Sequence, residues 1–137
     1  MAHEKFPVEI LTPEGEVFND EVEMISTRTT VGSIGILAHH QPILAMLDPT
    51  ELRLYRSESD IVRFAQGEGY LQMAGNRALL LLEEAVAPED LDAAQLRDRL
   101  RSAEQSLSQA EEGSEERRKC ERDARRWQRF LEIAEGS

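Results

Sequence analysis

Residues 115–134 read EERRKCERDARRWQRFLEIA and predict a helix with two unlike faces. Apolar residues recur there every three or four positions, which is the spacing of one helical face. They are Cys120, Ala124, Trp127, Leu131 and Ala134. Between positions 115 and 129 seven residues are basic and four are acidic, although the whole chain carries a net charge of −11. We therefore expect the apolar stripe to pack within the protein and the basic remainder to face either solvent or a partner.

A second amphipathic pattern precedes this helix. Pro88, Glu89 and Asp90 predict a helix start, because proline fits the first turn and acids favour the positive end of the helix dipole. Leucine and alanine then recur at helical spacing, at Leu96, Leu100, Ala103, Leu107 and Ala110. Gly113 suits the C-cap of this helix, and Ser114 suits the N-cap of the next. Two amphipathic helices joined so closely predict an antiparallel hairpin over residues 88–137.

The first 87 residues instead show the alternation typical of β-strands. Phe6, Val8 and Ile10 share one side of a strand, and turns containing glycine or proline follow at short intervals. We predict strands over residues 6–10, 17–18, 22–25, 51–55, 60–65, 69–73 and 78–82, with Gly75 and Asn76 as a hairpin turn. The unbroken apolar run at residues 79–82 predicts a central strand or one that is covered on both faces. About eight short strands predict an antiparallel sandwich or barrel, which makes the chain α+β with a boundary near residue 87.

Composition and motifs exclude several classes of protein and site. Cys120 is the single cysteine, which prevents an intrachain disulfide and favours a reducing compartment. Residues 1–10 lack the pattern of a secretory signal, and no apolar run approaches the roughly 20 residues of a membrane span. The acidic charge argues against nucleic-acid binding. His39 and His40 would point to opposite faces of a strand, so they are unsuited to sharing a metal ion. No catalytic motif is recognisable, and we expect no metal, cofactor or catalytic residue.

Four stretches resemble those of a known family, in the same order and at the same spacing. Residues 35–42, GILAHHQP, are similar to its glycine-isoleucine-leucine-proline-glycine-histidine-alanine-proline stretch. Residues 47–53, LDPTELR, are similar to the leucine-x-proline-glycine-x-leucine-arginine segment that follows. Residues 69–73, GYLQM, resemble a glycine-aromatic-leucine-glutamate-valine strand, and residues 83–92 resemble the entry into the first helix. The chain thus resembles the epsilon subunit of bacterial F-type ATP synthases, which implies an antiparallel β-sandwich over residues 1–87 and a two-helix hairpin over residues 88–137.

The resemblance implies a noncatalytic central-stalk subunit of a proton-translocating ATP synthase. The sandwich would couple the rotor c-ring to the shaft formed by the gamma subunit. The hairpin would inhibit ATP hydrolysis by extending along the shaft to a catalytic beta subunit. The subunit would lie on the cytoplasmic face of the cell membrane as a peripheral component and would be a monomer when isolated. The alternative function is a freestanding β-domain scaffold with a helical oligomerisation arm.

The resemblance also implies two sets of contact residues. The rotor- and shaft-facing set is Val31, Gly32, Ser33, Ile34, His40 and Pro42. The basic residues of the inhibitory helix are Arg117, Arg118, Lys119, Arg122, Arg125, Arg126 and Arg129. The alternative for the first set is a turn without a partner. The alternative for the second is a solvated face with intrahelical pairs such as Glu121 with Arg125.

Residues 91–96, LDAAQL, occupy the place of the family's nucleotide-binding motif, leucine-aspartate-x-x-arginine-alanine. Gln95 stands where the motif has arginine, and Leu96 stands where it has alanine. Asp92 is left as the one polar residue that matches the motif and could contact a nucleotide. The sequence therefore argues against ATP as a bound cofactor.

Overall fold

Short alternating strands build the first part of the chain in the computed structural model, which describes residues 3–136. Their bounds are β1 Phe6–Thr12, β2 Gly15–Val22, β3 Met24–Thr29, β4 Gly32–Leu37, β5 Ile43–Leu47, β6 Thr50–Tyr55, β7 Ile61–Gln66, β8 Gly69–Ala74, β9 Arg77–Leu82 and β10 Ala85–Val86. Each predicted strand overlaps an observed one, but the prediction of a single strand over residues 22–25 is wrong, because a bend at Glu23 separates β2 from β3. Three further strands, β4, β5 and β10, were not predicted from the sequence.

These strands form one sheet in the order β10-β7-β6-β3-β5-β8-β9-β1-β2, with β4 paired to β3. Along its length β3 pairs first with β6, through residues 24–26, and then with β5, at Thr29 opposite Leu47. This change of neighbour lets a continuous sheet fold over into two layers. All pairings are antiparallel except that of β1 with β9, in which Val8 lies opposite Ala78. The predicted antiparallel β-sandwich is confirmed, with one parallel pair.

The inward residues of the two layers form a single aliphatic core. Its buried members are Phe6, Val8, Ile10, Phe18, Val22, Ile25, Ile36, Leu47, Leu52, Leu54, Leu71, Met73, Ala78, Leu80 and Leu82. One polar side chain, Gln66, is completely buried beside this core. Its amide oxygen accepts from Thr27 Oγ1 at 2.6 Å, and its amide nitrogen donates to the Asp48 carbonyl at 2.8 Å. Gln66 therefore fixes β7 to β3 and to the turn before β6, since a buried amide must keep both partners.

Two tight turns carry residues in the left-handed region. Gly75 and Asn76 have φ values of 58° and 57°, so the predicted hairpin turn between β8 and β9 is confirmed as a type I′ turn. His39 also has a positive φ, 63°, and its backbone N–H donates to Asn76 Oδ1 at 2.7 Å. The expectation that His39 and His40 lie on a strand is wrong. β4 ends at Leu37, and the His40 N–H closes a turn onto the Leu37 carbonyl at 3.2 Å.

The second part of the chain contains helices α1, Ala93–Gln109, and α2, Glu115–Gly136. The predicted helix start at Pro88 is wrong, because Pro88–Asp90 form a separate 3-10 turn. Asp92 is extended and caps α1 by accepting the Gln95 N–H at 3.2 Å. Within the described residues, neither helix has the length and apolar composition needed to cross a bilayer.

The two helices pack as the predicted hairpin. The predicted cap at Ser114 is confirmed, since its Oγ accepts the Arg117 N–H at 3.1 Å. Gly113, with a φ of 79°, lies in the connecting turn, whereas the C-cap of α1 is the extended residue Ala110. The predicted stripe on α2 is only partly right. Phe130 and Ile133 are buried although they lie outside the stripe. Near the C-terminal end of α2 the sequence is FLEIA, so the apolar residues of the helix cover a wider face there.

Candidate functional surfaces

An open apolar face crosses four neighbouring strands of the sandwich. Met46 of β5 lies opposite Tyr70 of β8, Tyr70 lies opposite Leu81 of β9, and Leu81 lies opposite Leu11 of β1. Met46, Tyr70 and Leu81 are each about half exposed, at 56%, 50% and 46%. Leu44, two residues before Met46 on β5, is 73% exposed. We call Leu11, Leu44, Met46, Tyr70 and Leu81 the apolar face.

Part of this face is concave. A groove of about 430 Å³ is lined by Leu11, Thr12, Pro13, Gly69, Tyr70, Leu81, Leu82 and Glu83. Gly69 has no room for a side chain, because a Cβ atom at this position would lie 2.0 Å from the Leu81 carbonyl oxygen. The prediction of a central strand over residues 79–82 is confirmed, since β9 lies between β8 and β1, but the alternative of a strand covered on both faces is wrong. Leu80 and Leu82 are buried, but the alternate residue Leu81 is open to solvent.

A second exposed apolar feature is the turn between β3 and β4. Val31 stands at its tip and is 95% exposed. The turn is held firmly, since Thr29 Oγ1 donates to the Gly32 carbonyl at 2.9 Å and accepts the Val31 N–H at 3.2 Å. The Thr30 N–H also donates to the Met46 carbonyl at 3.0 Å. This last bond places the tip of the turn beside the apolar face.

The residues predicted to face the rotor and the shaft do not form one cluster. Val31 and Gly32 lie at the start of β4, whereas His40 and Pro42 lie beyond its end. The six residues of β4 span roughly 20 Å, since a strand rises about 3.3 Å per residue. Ser33 and Ile34 lie on β4 itself. The structure therefore separates this set into the β3–β4 turn and the β4–β5 connection.

The β4–β5 connection is shaped mainly by local contacts. His40 Nδ1 lies 2.7 Å from the Gln41 carbonyl, and Pro42 is exposed. His39 contacts the carboxylate of Glu4 through its ring. The described residues include no group of three His, Cys, Asp or Glu side chains placed to hold a metal ion.

The basic residues of α2 fall into two groups. Four of them are engaged within the helical part of the chain, namely Arg117, Arg118, Arg126 and Arg129. Lys119, Arg122 and Arg125 are exposed and, within the described residues, make no hydrogen bond or ion pair. These three lie within an arc of about 120° of the helix circumference, given 3.6 residues per turn. We call them the free cations of α2.

An open groove of about 840 Å³ runs along this side of the hairpin. It is lined by Leu107, Glu115, Arg118, Glu121, Arg122, Ala124 and Arg125. Two of the free cations, Arg122 and Arg125, thus stand beside apolar atoms of Leu107 and Ala124. Such a surface suits an acidic protein segment with apolar side chains between its acids. The alternative of a solvated face with intrahelical pairs is also compatible with this surface. The pair named for it, Glu121 with Arg125, does not form among the described residues, and Glu121 pairs instead with Arg117 at 3.3 Å.

Asp92 has a structural task where the resemblance places a nucleotide contact. Its carboxylate caps α1 at the Gln95 N–H, as described above. Gln95 is exposed and offers an amide, which has no charge to hold a phosphate. These positions supply no cation for a nucleotide.

Comparison with known proteins gives a consistent result. A family model described as the β-sandwich domain of the ATP synthase delta/epsilon chain matches residues 5–88. The ATP synthase epsilon chain of Persephonella marina is 34% identical over 130 residues, covering 94% of this chain and 96% of that one. The ATP synthase epsilon chain of Halalkalibacterium halodurans is 31% identical over 128 residues, covering 93% and 95%.

Solved structures share the fold at low sequence identity. A chain in the cryo-EM structure of the Euglena gracilis mitochondrial ATP synthase aligns with a TM-score of 0.79 and 20% identity, covering 95% of this chain and 81% of that one. A chain in the Tetrahymena thermophila mitochondrial ATP synthase structure of central stalk and c-ring aligns with a TM-score of 0.61 and 18% identity, covering 98% and 99%.

Proposed function

The chain belongs to the epsilon-chain family of ATP synthases, and from this premise we propose that it joins the shaft to the rotor ring and restrains ATP hydrolysis. It is a noncatalytic subunit of the synthase, so its work consists of binding and of mechanical coupling. We propose the gamma subunit, the c-ring and a catalytic beta subunit as its partners. We place it at the cytoplasmic face of the cell membrane as a peripheral component.

The apolar face carries the proposal for coupling. Its aliphatic and aromatic residues lie in register on four hydrogen-bonded strands, so the surface is stiff. Burying such residues contributes roughly 25 cal/mol per Å² of apolar surface, and a contiguous open patch of this kind is typical of a protein interface. We assign the apolar face to the gamma subunit. The adjacent tip at Val31 is assigned to the c-ring.

The free cations of α2 carry the proposal for inhibition. Lys119, Arg122 and Arg125 have no acidic partner among the described residues of the hairpin, so an acidic segment of a catalytic subunit can pair with them without displacing other contacts. Partly desolvated arginine–carboxylate pairs add both affinity and a preferred orientation. α2 reaches that segment by leaving α1 and extending along the shaft, and rotation in the direction of hydrolysis is then blocked.

Removal of residues 89–137 tests the inhibitory role. We expect the assembled complex with the truncated subunit to hydrolyse ATP faster while still pumping protons in membrane vesicles, because the apolar face is intact. The triple variant Lys119→Gln, Arg122→Gln and Arg125→Gln should reproduce the faster hydrolysis. Arg101→Gln on α1 is the control, since Arg101 pairs only with Asp98 on its own helix. Unchanged hydrolysis in both the truncated and the triple variant would refute inhibition and leave coupling standing.

Gel filtration separates this proposal from the scaffold alternative. A stalk subunit should elute as a monomer, whereas an oligomerisation arm should give a larger species. If a larger species appears, the truncated subunit locates its cause. Association that persists without residues 89–137 arises from the sandwich, and it excludes the helical arm as the cause of oligomerisation. We also expect calorimetry with ATP to give no binding heat, because Gln95 replaces the motif arginine.

A further inference from the structure

We infer that Arg117 is a latch that holds the hairpin closed, so that its effect on hydrolysis is opposite in sign to that of the free cations. This inference rests on the proposed function, because it concerns how α2 leaves α1. It separates one arginine from a basic set that the sequence alone treats as uniform.

The contacts of Arg117 cross from one helix to the other. Its Nη1 donates to the carbonyl of Leu107 at 3.3 Å and lies 3.5 Å from that of Ala110. Its Nε pairs with Glu121 one turn later on α2 at 3.3 Å. The Arg117 side chain is 34% exposed, less than that of its partner Glu121 at 52%. The guanidinium is therefore positioned between its own helix and the last turn of α1.

The end of α1 needs such a cation. The last carbonyls of a helix lack hydrogen-bond partners and carry the negative end of its dipole. The last turn of α1 contains no basic residue of its own, and its C-cap contributes only the Ala110 N–H bonded to the Leu107 carbonyl. Arg117 supplies the missing positive charge from α2. When α2 leaves, this stabilisation is lost, so the contact favours the closed hairpin.

The neighbouring arginine shows that this role is specific. Arg118 Nη2 donates to the Gly113 carbonyl at 3.0 Å, a contact within the turn that does not reach α1. Arg122 and Arg125 have no such contact and remain available in either state. Neutralising Arg117 should therefore release α2 and increase inhibition. Neutralising Arg122 should weaken the partner contact and relieve inhibition.

The isolated full-length subunit provides the first test, with its own single thiol as the probe. Cys120 is buried on α2, three residues after Arg117, and becomes accessible when the hairpin opens. The rate of its modification by N-ethylmaleimide, divided by the rate for the same variant in denaturant, reports the open fraction. We expect Arg117→Gln to raise this ratio about threefold to tenfold, because a charge-assisted hydrogen bond at a half-exposed site is weaker than a buried one.

Matched variants make this test specific. Arg117→Lys should fall between the wild type and Arg117→Gln, since an ammonium group can reach only part of the same geometry. Arg101→Gln and Arg122→Gln each remove one positive charge at a residue that does not join the two helices. These two variants should therefore leave the ratio of modification rates unchanged. An Arg117→Gln ratio equal to that of these two controls would overturn the latch.

The assembled complex provides the second test. Arg117→Gln should lower the rate of ATP hydrolysis, whereas Arg122→Gln should raise it. If Arg117→Gln raises hydrolysis as Arg122→Gln does, Arg117 is a partner contact and the latch is wrong. If removal of residues 89–137 leaves hydrolysis unchanged, the inhibitory function is wrong, and the thiol measurement alone decides whether Arg117 closes the hairpin.

Discussion

The guanidinium carbon of Arg99 on α1 lies 5.0 Å from the ring centroid of Trp127 on α2. Arg126 approaches the same indole at 5.3 Å, and Phe130 packs against it edge-on with 6.0 Å between ring centroids. This arrangement joins the middle of the hairpin, whereas Arg97 and Glu135, 3.0 Å apart, join its open end. Cation–π contacts of this kind contribute at partly exposed sites, where ordinary ion pairs contribute little.

Arg99→Gln should therefore destabilise the hairpin by about 0.5–1 kcal/mol, the usual strength of an exposed cation–π contact. Trp127 is the only tryptophan, so its fluorescence in a urea titration reports the helical part of the chain selectively. Arg101→Gln serves as the charge-matched control. Equal midpoints for the two variants would contradict the contribution of the Arg99–Trp127 contact.

Leu81→Glu should abolish attachment to the stalk without unfolding the sandwich. Leu81 is already half exposed, so the carboxylate stays solvated in the free subunit, but it would be buried without a partner in an apolar interface. We expect binding to a subunit-depleted complex to weaken by about a hundredfold or more. Leu37→Glu is the matched control, since Leu37 has a similar exposure of 41% and lies outside the apolar face. Normal binding of Leu81→Glu would remove the apolar face from the interface.

Gln66→Leu should destabilise the sandwich by about 1–3 kcal/mol, because it leaves the Thr27 hydroxyl and the Asp48 carbonyl without their buried partner. Hydrogen exchange of peptides from β3 and β7 measures this loss directly. Gln72→Leu is the control, since Gln72 is exposed on β8. Equal exchange in both variants would contradict the interpretation that the buried Gln66 side chain holds β7 to β3.

The folded sandwich should also become slightly less stable with rising pH, as the Glu9 carboxyl ionises. The side-chain hydrogen bond with Glu16 is the main cause that raises the pKa of Glu9 above its ordinary value of 4.5, and Arg77 opposes the effect. A raised carboxyl pKa means that the folded state binds the proton more tightly. The resulting stabilisation of the folded state is fully present below pH 4.5. It is lost as the pH rises through the folded-state pKa of Glu9.

Glu9→Gln cannot ionise, so it should melt at a higher temperature than the wild type near pH 7 and at an equal temperature near pH 4. Thermal unfolding at a series of pH values measures the difference. Glu14→Gln, in the turn between β1 and β2, removes the same charge without that carboxyl partner. A gain for Glu14→Gln as large as that for Glu9→Gln would attribute the effect to net charge alone.

Most of the architecture was predictable because it depends on local periodicity. Phe6, Val8 and Ile10 are all buried, as their alternation predicts, and Gly75 with Asn76 forms the predicted turn. β4 was missed because Gly32 and Gly35 interrupt its alternation, and β5 was missed because its five residues, ILAML, are all apolar and do not alternate. β10 was missed because two residues, Ala85 and Val86, show no period.

The functional surfaces were less predictable, for a physical reason. The apolar run at residues 79–82 does indicate a strand with two apolar faces, but the sequence cannot say that Leu81 is half exposed. The role of Arg117 depends on where the ends of α1 and α2 meet, which helical spacing does not specify. The separation of engaged from free cations on α2 likewise depends on contacts that helical spacing does not specify.

The parallel pairing of β1 with β9 has a consequence for synthesis of the chain. Val8 pairs with Ala78, 70 positions later, so this ladder forms only after nearly the whole sandwich has left the ribosome. Until then the nascent hairpin of β1 and β2 carries an unpaired edge, which is a site for mispairing. Ladders between such distant segments also close slowly, because the loop entropy must be overcome first. The helical segment follows β9 in the chain, so its synthesis is completed only after every strand of this ladder has been made.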